Sequence, residues 1–291
     1  MKSLKELIKE DRPHLGEGSV KTYLSNLKKI GITEPSDIEK LDEPDYVFNI
    51  IDDMKLNMKR NIISSVLIII TASGGRKDLY EIYRQRLFDL GKEYNAELAK
   101  NEKTETQEKN WVTIEELKKI TKRLLRENPK SQNSLIASLY TMQPPTRLDY
   151  YDMEIKGPKA EIGNEKNYLI IHNTRRKEFV FNDYKTSNKY NQVRIPVSKE
   201  LNRVINKFLK LNPERKYLLQ QSRSQKPMTR NALGKQIPFI FKETGKNVTL
   251  NIIRHVYVTE QVDLAAVKKF QEIAKSMMHS SAEQTSYNKG D

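Results

Sequence analysis

The sequence predicts an α+β, mostly helical protein. It reads as an N-terminal helical domain (1–100), a polar linker (101–110) and a mixed domain (111–291) with a small three-stranded antiparallel sheet. Three observations carry this expectation. Apolar residues recur at helical spacing through most of the first hundred residues and again beyond 199. Between them, NYLIIHNTRRKEFVFNDYKTSNKYNQVRIPVS (167–198) holds three β-rich runs separated by polar turns. The stretch NEKTETQEKN (101–110) has no apolar side chain and divides the chain.

Taken in order, SVKTYLSNLKKIG (19–31) sets Val20, Tyr23, Leu24 and Leu27 on one stripe, with Ser19 as N-cap and Gly31 as stop. PSDIEKL (35–41) and PDYVFNIIDDM (44–54) read as short helices. NMKRNIISSVLIIITASGG (57–75) reads as a buried helix with a basic start and a Gly-Gly end. A long amphipathic helix follows, LYEIYRQRLFDLGKEYNAELAK (79–100). In the second part, WVTIEELKKITKRLL (111–125) opens on a capping box, Thr113–Glu116, in which each residue satisfies an orphan amide of the other's turn. SLIASLYTM (134–142) is an apolar helix halted by Pro144–Pro145. The strands NYLIIH, EFVFND and QVRIPV come next, then helices at 199–211, 229–245, 250–261 and 264–278. There is no internal repeat.

At 291 residues the chain suits two domains, and 37% hydrophobic against 31% charged residues allow a core beneath a strongly ionised surface. The absence of cysteine excludes a disulfide framework, a thiolate zinc site and a thiol nucleophile. The longest apolar run, IISSVLIII (62–70), is too short to span a bilayer, and MKSLKELIKEDRP has no secretory profile. A soluble, intracellular protein with no membrane partner is expected, in the cytoplasm or nucleus of its host. No glycine-rich phosphate loop or metal-ligand cluster stands out, so no cofactor and no metal are expected. The net charge of +14 is uneven: residues 1–110 hold 19 basic and 20 acidic side chains, residues 111–291 hold 33 and 18. An excess of that size points to a polyanion, most simply nucleic acid. The plainer reading is a solvated, lysine-rich surface.

Four short stretches carry residues with chemistry. In PPTRLDYYDM (144–153) a single arginine, Arg147, follows a helix-breaking proline pair; alone it reads as a surface arginine pairing Asp149 or Asp152. DYKTSNKY (183–190) places Lys185 and Lys189 at a hairpin tip, where a solvated turn is the ordinary explanation. In NIIRHVYVTE (251–260), Asn251, Arg254 and His255 share one helical face, which suits either a satisfied polar cluster or a phosphate clamp. The C-terminal stretch HSSAEQTSYNKGD holds His279 and Tyr287.

In this order the four stretches resemble the catalytic domain of the tyrosine recombinases, the phage-type integrases, which are related to type IB topoisomerases. The family pattern is an arginine after a helix, a hairpin lysine, a His-x-x-Arg helix, then His or Trp before a nucleophilic tyrosine. Arg147, Lys185, Asn251-x-x-Arg254, His279 and Tyr287 fill it here. The first part resembles the helical core-binding half of the family's DNA clamp. There are three departures. Asn251 stands where the family has histidine, the spacing from His279 to Tyr287 is one short of the commonest, and Arg147 lacks an acid three residues on. Asp149 or Asp152 would supply that support, and His255 either packs structurally or partly replaces the missing histidine.

What the resemblance implies is a site-specific recombinase or integrase that needs no cofactor. Tyr287 would attack the scissile phosphate and form a 3′-phosphotyrosine. Arg147 and Arg254 would engage the non-bridging oxygens with His279, and Lys185, with Lys189 as rival, would protonate the departing 5′-oxygen. Its partners would be double-stranded DNA and three further copies, as a homotetramer on synapsed sites, integrating or excising a viral or mobile genome. Expected DNA contacts are Lys21, Lys28, Lys29, Lys59 and Arg60 on one face of the first domain. In the second they are Arg175, Arg176, Arg223, Arg230 and Lys235. Two other functions fit the same residues: a monomeric topoisomerase of the same chemistry, and a DNA-binding protein whose site has decayed.

Overall fold

The structure, a computed structural model, describes residues 2–221 and 224–278. It forms two compact units, Met1–Glu102 and Lys103–Asp291. Each has its own apolar core.

The first unit is all helical: α1 (Leu4–Asp11), α2 (Glu17–Lys29), a 3₁₀ turn (Pro35–Asp42), α3 (Pro44–Ile51), α4 (Leu56–Ala72) and α5 (Lys77–Ala99). Helix α1 was not expected, although Ser3 and Glu6 form a capping box at its start, a signal present in the sequence. Helix α4 is the hub, burying an almost continuous run from Ile62 to Ile70 because other helices cover it on several sides. Buried Asn26 on α2 docks there by donating to Ser65 Oγ (3.1 Å) and the Asn61 carbonyl (3.3 Å). The glycine pair after α4 is required by geometry: Gly74 has φ +71°, and a Cβ on Gly75 would lie 2.7 Å from Ile70 Cγ2.

The second unit opens with α6 (Glu105–Asn110), so the polar segment 101–110 is not linker throughout. Thr104 and Gln107 cap that helix, and Asn110 accepts a hydrogen bond from the Asn247 amide at 2.8 Å. Absence of apolar residues marks a segment as exposed, which leaves a capped surface helix open to it. Next come α7 (Ile114–Glu127), opening on the expected Thr113–Glu116 box, and α8 (Gln132–Thr141). The sheet follows: β1 (Glu154–Lys156), β2 (Tyr168–Ile171), β3 (Lys177–Phe181) and, after the short helix α9 (Ser187–Tyr190), β4 (Val193–Pro196). Helices α10 (Lys199–Leu211), α11 (Arg230–Ile240), α12 (Leu250–Gln261) and α13 (Leu264–Ser276) complete it, with a 3₁₀ turn (Lys242–Thr244) after α11.

The sheet corrects the expectation of three antiparallel strands. It has four strands in the order β1-β2-β3-β4, and β1 pairs parallel to β2, Glu154 opposite Tyr168. The other two pairings are antiparallel as expected. β1 is a three-residue edge strand reading Glu-Ile-Lys, too short and too charged to show alternation. Alternation does hold in the centre. Leu169, Phe179 and Phe181 face the main core, while Tyr168, Ile170 and Val180 form a small cluster under Ile162. Among the described residues no helix is long and apolar enough to cross a membrane.

Candidate active site

Two of the expected site residues, Arg147 and Arg254, line one cavity at the end of the sheet. This cavity of about 200 Å³ is lined by Thr146, Arg147, Asp149, Phe181, Tyr184, Thr186, Val193, Ile195 and Arg254. It therefore brings together two arginines 107 positions apart, from the loop after α8 and from α12.

Arg147 is held from beneath. Its carbonyl accepts from Tyr140 Oη at 3.2 Å, and Tyr140 packs edge-on against Tyr150, centroids 5.6 Å apart. Tyr150 in turn meets Phe179 at 5.0 Å and Phe181 at 5.7 Å, so the arginine loop sits on a buried aromatic quartet. Burial pushes the Tyr150 phenol up to about 12 and that of Tyr140 well above its ordinary value, which keeps both neutral. Gln143 donates to Tyr150 Oη at 3.1 Å. Arg254 rides on α12, whose Ile252, Ile253 and Val256 are buried. Thr249 caps the start of that helix, and near its end Glu260 accepts from the Ile114 amide at 3.0 Å.

Of the two acids beside Arg147, Asp149 is the one that faces the arginines. It is buried, and Arg230, Arg147 and Arg254 all draw its carboxyl toward the charged form. Arg230, at the start of α11, approaches Asp149 Oδ1 to 3.4 Å. Desolvation outweighs these attractions, and the Asp149 carboxyl lies above the ordinary carboxylate range. Asp152 is also raised by burial, but the cation near it is Lys166. Arg230, expected as a DNA contact, is thus engaged inside the unit as well as half-exposed.

Lys185 lies in the turn between β3 and α9 and is exposed; its neighbours Tyr184 and Thr186 line the cavity. The tip is not a simple hairpin turn, since α9 is inserted there. Lys189 is on α9, its Nζ 5.2 Å from the Tyr190 ring centre. Asn251 and His255 are exposed on α12 and do not line the cavity. His279, Tyr287 and Arg223 lie outside the described residues.

Arg175 and Arg176 are exposed in the β2–β3 turn, where both amides donate to Asn173 Oδ1 at 2.8 and 2.9 Å. Asn202 and Asn206 of α10 pin that turn through the Thr174 carbonyl. Buried Lys177 links the same two asparagines and has its ammonium pushed below the ordinary lysine value by desolvation. Lys235 is exposed on α11. In the first unit Lys21 and Lys28 are exposed, and Lys29 reaches Met58 on α4. Lys59 turns onto Asp52 at 3.7 Å, and Arg60 stacks on Tyr94 at 4.2 Å, so these two side chains point to different neighbours.

Sequence reasoning missed Asn167, a fully buried side chain between the Asp149 and Asp183 loops. Nothing local marks it. Only the packing of distant loops gives an asparagine before a strand a task.

The sequence matches no protein-family model and no curated protein. Among solved structures, the crystal structure of XerA recombinase is similar to this chain with a TM-score of 0.37 and 13% identity, covering 99% of this chain and 93% of that one. A likeness of that size leaves function to the site's own geometry.

Proposed function

We propose that this chain is a DNA recombinase of the tyrosine recombinase class, cleaving and rejoining strands through a covalent 3′-phosphotyrosine. The observation that supports it most is the convergence of Arg147 and Arg254 on one small cavity beside the loop carrying Lys185. Two planar guanidiniums from different elements match the non-bridging oxygens of a phosphodiester, where charge builds in the five-coordinate transition state. Preorganised donors of this kind are worth about 3 kcal/mol each in comparable oxyanion sites. Tyr287 Oη loses its proton to water and attacks phosphorus, the P–O5′ bond breaks, and Lys185 gives its proton to the leaving oxygen. His279 and Asn251 add hydrogen bonds, Asn251 without a proton to exchange. Residues 111–291 are the catalytic domain, and residues 1–100 bind DNA. The acting species is a homotetramer on two duplex sites, serving the integration or excision of a mobile or viral genome.

The test uses a pool of nicked duplexes with a randomised core, from which covalent adducts are recovered in SDS. Wild type is expected to yield adducts on a recurring sequence, and Tyr287→Phe none. Adducts persisting in Tyr287→Phe overturn the nucleophile assignment, and none from wild type overturns the enzymatic proposal in favour of DNA binding alone.

A further inference from the structure

Asn167 immediately precedes β2 and is fully buried. A carboxamide has two donor and two acceptor positions, and here all four are filled. Nδ2 donates to the Asp149 carbonyl at 3.0 Å and to the Asp183 carbonyl at 2.9 Å. Oδ1 accepts from the amides of Asn182 at 2.8 Å and Asp183 at 3.0 Å. Its own carbonyl accepts from the Glu154 amide at 3.0 Å, where β1 joins β2. One side chain thus bridges the loop that carries Arg147 and the loop that carries Lys185. Among the described hydrogen bonds, only those through Asn167 join residues 146–149 to residues 182–186. Asn182 extends the brace by donating to the carbonyls of Gly163 (3.0 Å) and Lys166 (2.7 Å).

We infer that Asn167 is a positioning residue that sets the Lys185 turn against the Arg147 loop, so that the proton donor reaches the leaving oxygen of the phosphate held by the arginines. This rests on the roles given to Arg147 and Lys185 above. Asp183 is two residues from Lys185, and its amide and carbonyl are both fixed by the same carboxamide. The turn therefore cannot shift along the strand axis without breaking bonds to a buried group. Loss of the brace leaves phosphate engagement by Arg147 and Arg254 in place and misplaces the donor, so the defect falls on leaving-group protonation.

A leaving group that needs no proton separates this role from a merely structural one. The probe is a duplex recovered by wild type from the randomised pool, made in two forms: with the ordinary 5′-oxygen, and with sulfur at the bridging position. A thiolate departs unprotonated far more readily than an alkoxide, its conjugate acid having a pKa of about 8.5 for a simple thiol. Single-turnover cleavage by Lys185→Ala and Asn167→Ala is compared on both. General acid catalysis contributes about 10²–10⁴-fold, so Lys185→Ala should lose on that order with oxygen, Asn167→Ala at least about tenfold, and both should recover with sulfur. The double variant should be no slower on oxygen than Lys185→Ala alone.

If Lys185→Ala recovers on sulfur but Asn167→Ala stays slow on both forms, or is unimpaired on oxygen, the positioning role is overturned. If Lys185→Ala itself fails to recover, the proton-donor assignment falls instead. Should Asn167→Ala melt below the assay temperature, isosteric Asn167→Asp carries the same comparison. Its carboxylate loses both donors, so its cleavage of the oxygen form should rise as falling pH restores one.

Discussion

Asp149 shows how a single residue trades stability for arrangement. Its carboxyl faces three arginines and yet lies above the ordinary range, because burial costs more than those partly exposed cations return. Between the unfolded value near ~3.9 and the higher folded one, the folded chain holds a proton that the unfolded chain releases. Stability from this group is therefore lost as pH rises through that window, and at neutral pH the ionised side chain is a net cost. Asp149→Asn should melt at or above the wild-type temperature near about pH 7, with the advantage vanishing below the ordinary carboxylate value, as thermal melts across pH would show. The same substitution should slow adduct formation, since it removes the negative charge that faces Arg230, Arg147 and Arg254. A lower melting temperature for the variant at neutral pH would refute the burial cost.

At the scale of elements, the site is only as firm as the layer beneath it. Tyr140 from α8, Tyr150 from the arginine loop, and Phe179 and Phe181 from β3 meet edge to face, and a hydrogen bond from Tyr140 reaches the Arg147 backbone. Phe179 is fully buried within this group. Removing its ring leaves a cavity that a helix and a sheet strand cannot both close. Phe179→Ala should cost about 3–5 kcal/mol, read as a shift of the urea midpoint. A shift below about 1 kcal/mol would mean that the quartet relaxes and does not support the loop. The β2–β3 turn is supported differently, by polar bonds from α10 to its carbonyls, so its arginines remain free to meet a ligand.

Over the whole molecule, charge decides where a polyanion can bind. The basic excess belongs to residues 111–291, while residues 1–110 are nearly balanced. Of the basic side chains in the first unit, Lys59 is engaged with Asp52 and Arg60 with Tyr94. Arg175 and Arg176, exposed on a pinned turn, are better placed to meet phosphates. Each phosphate contact adds about 0.9 to the slope of log affinity against log salt. The double variant Arg175→Ala/Arg176→Ala should reduce that slope by about 2 on random duplex DNA, measured by fluorescence anisotropy across salt. An unchanged slope would mean that neither arginine meets a DNA phosphate.

Helical periodicity, capping boxes and the strand alternation of Leu169, Phe179 and Phe181 are local properties, set by spacing along the chain, and they are legible in the amino-acid order alone. Arg147 and Arg254 stand out only through their resemblance to a family pattern, since Arg147 alone reads as a surface arginine. Strand β1 is not legible there, since a three-residue edge strand takes its conformation from the partner it pairs with. The selection of Asp149 over Asp152 is equally hidden, because both follow Arg147 closely and only packing decides which faces the other arginines. Asn167 is the sharpest case: its four bonds run to residues at least 15 positions away, and each exists only after the sheet and its loops have closed. The amino-acid order by itself determined most of the helices, the central strands and the chemistry available. Tertiary structure alone decided which of those groups meet, since contacts between distant segments depend on three-dimensional closure and leave no period in the chain.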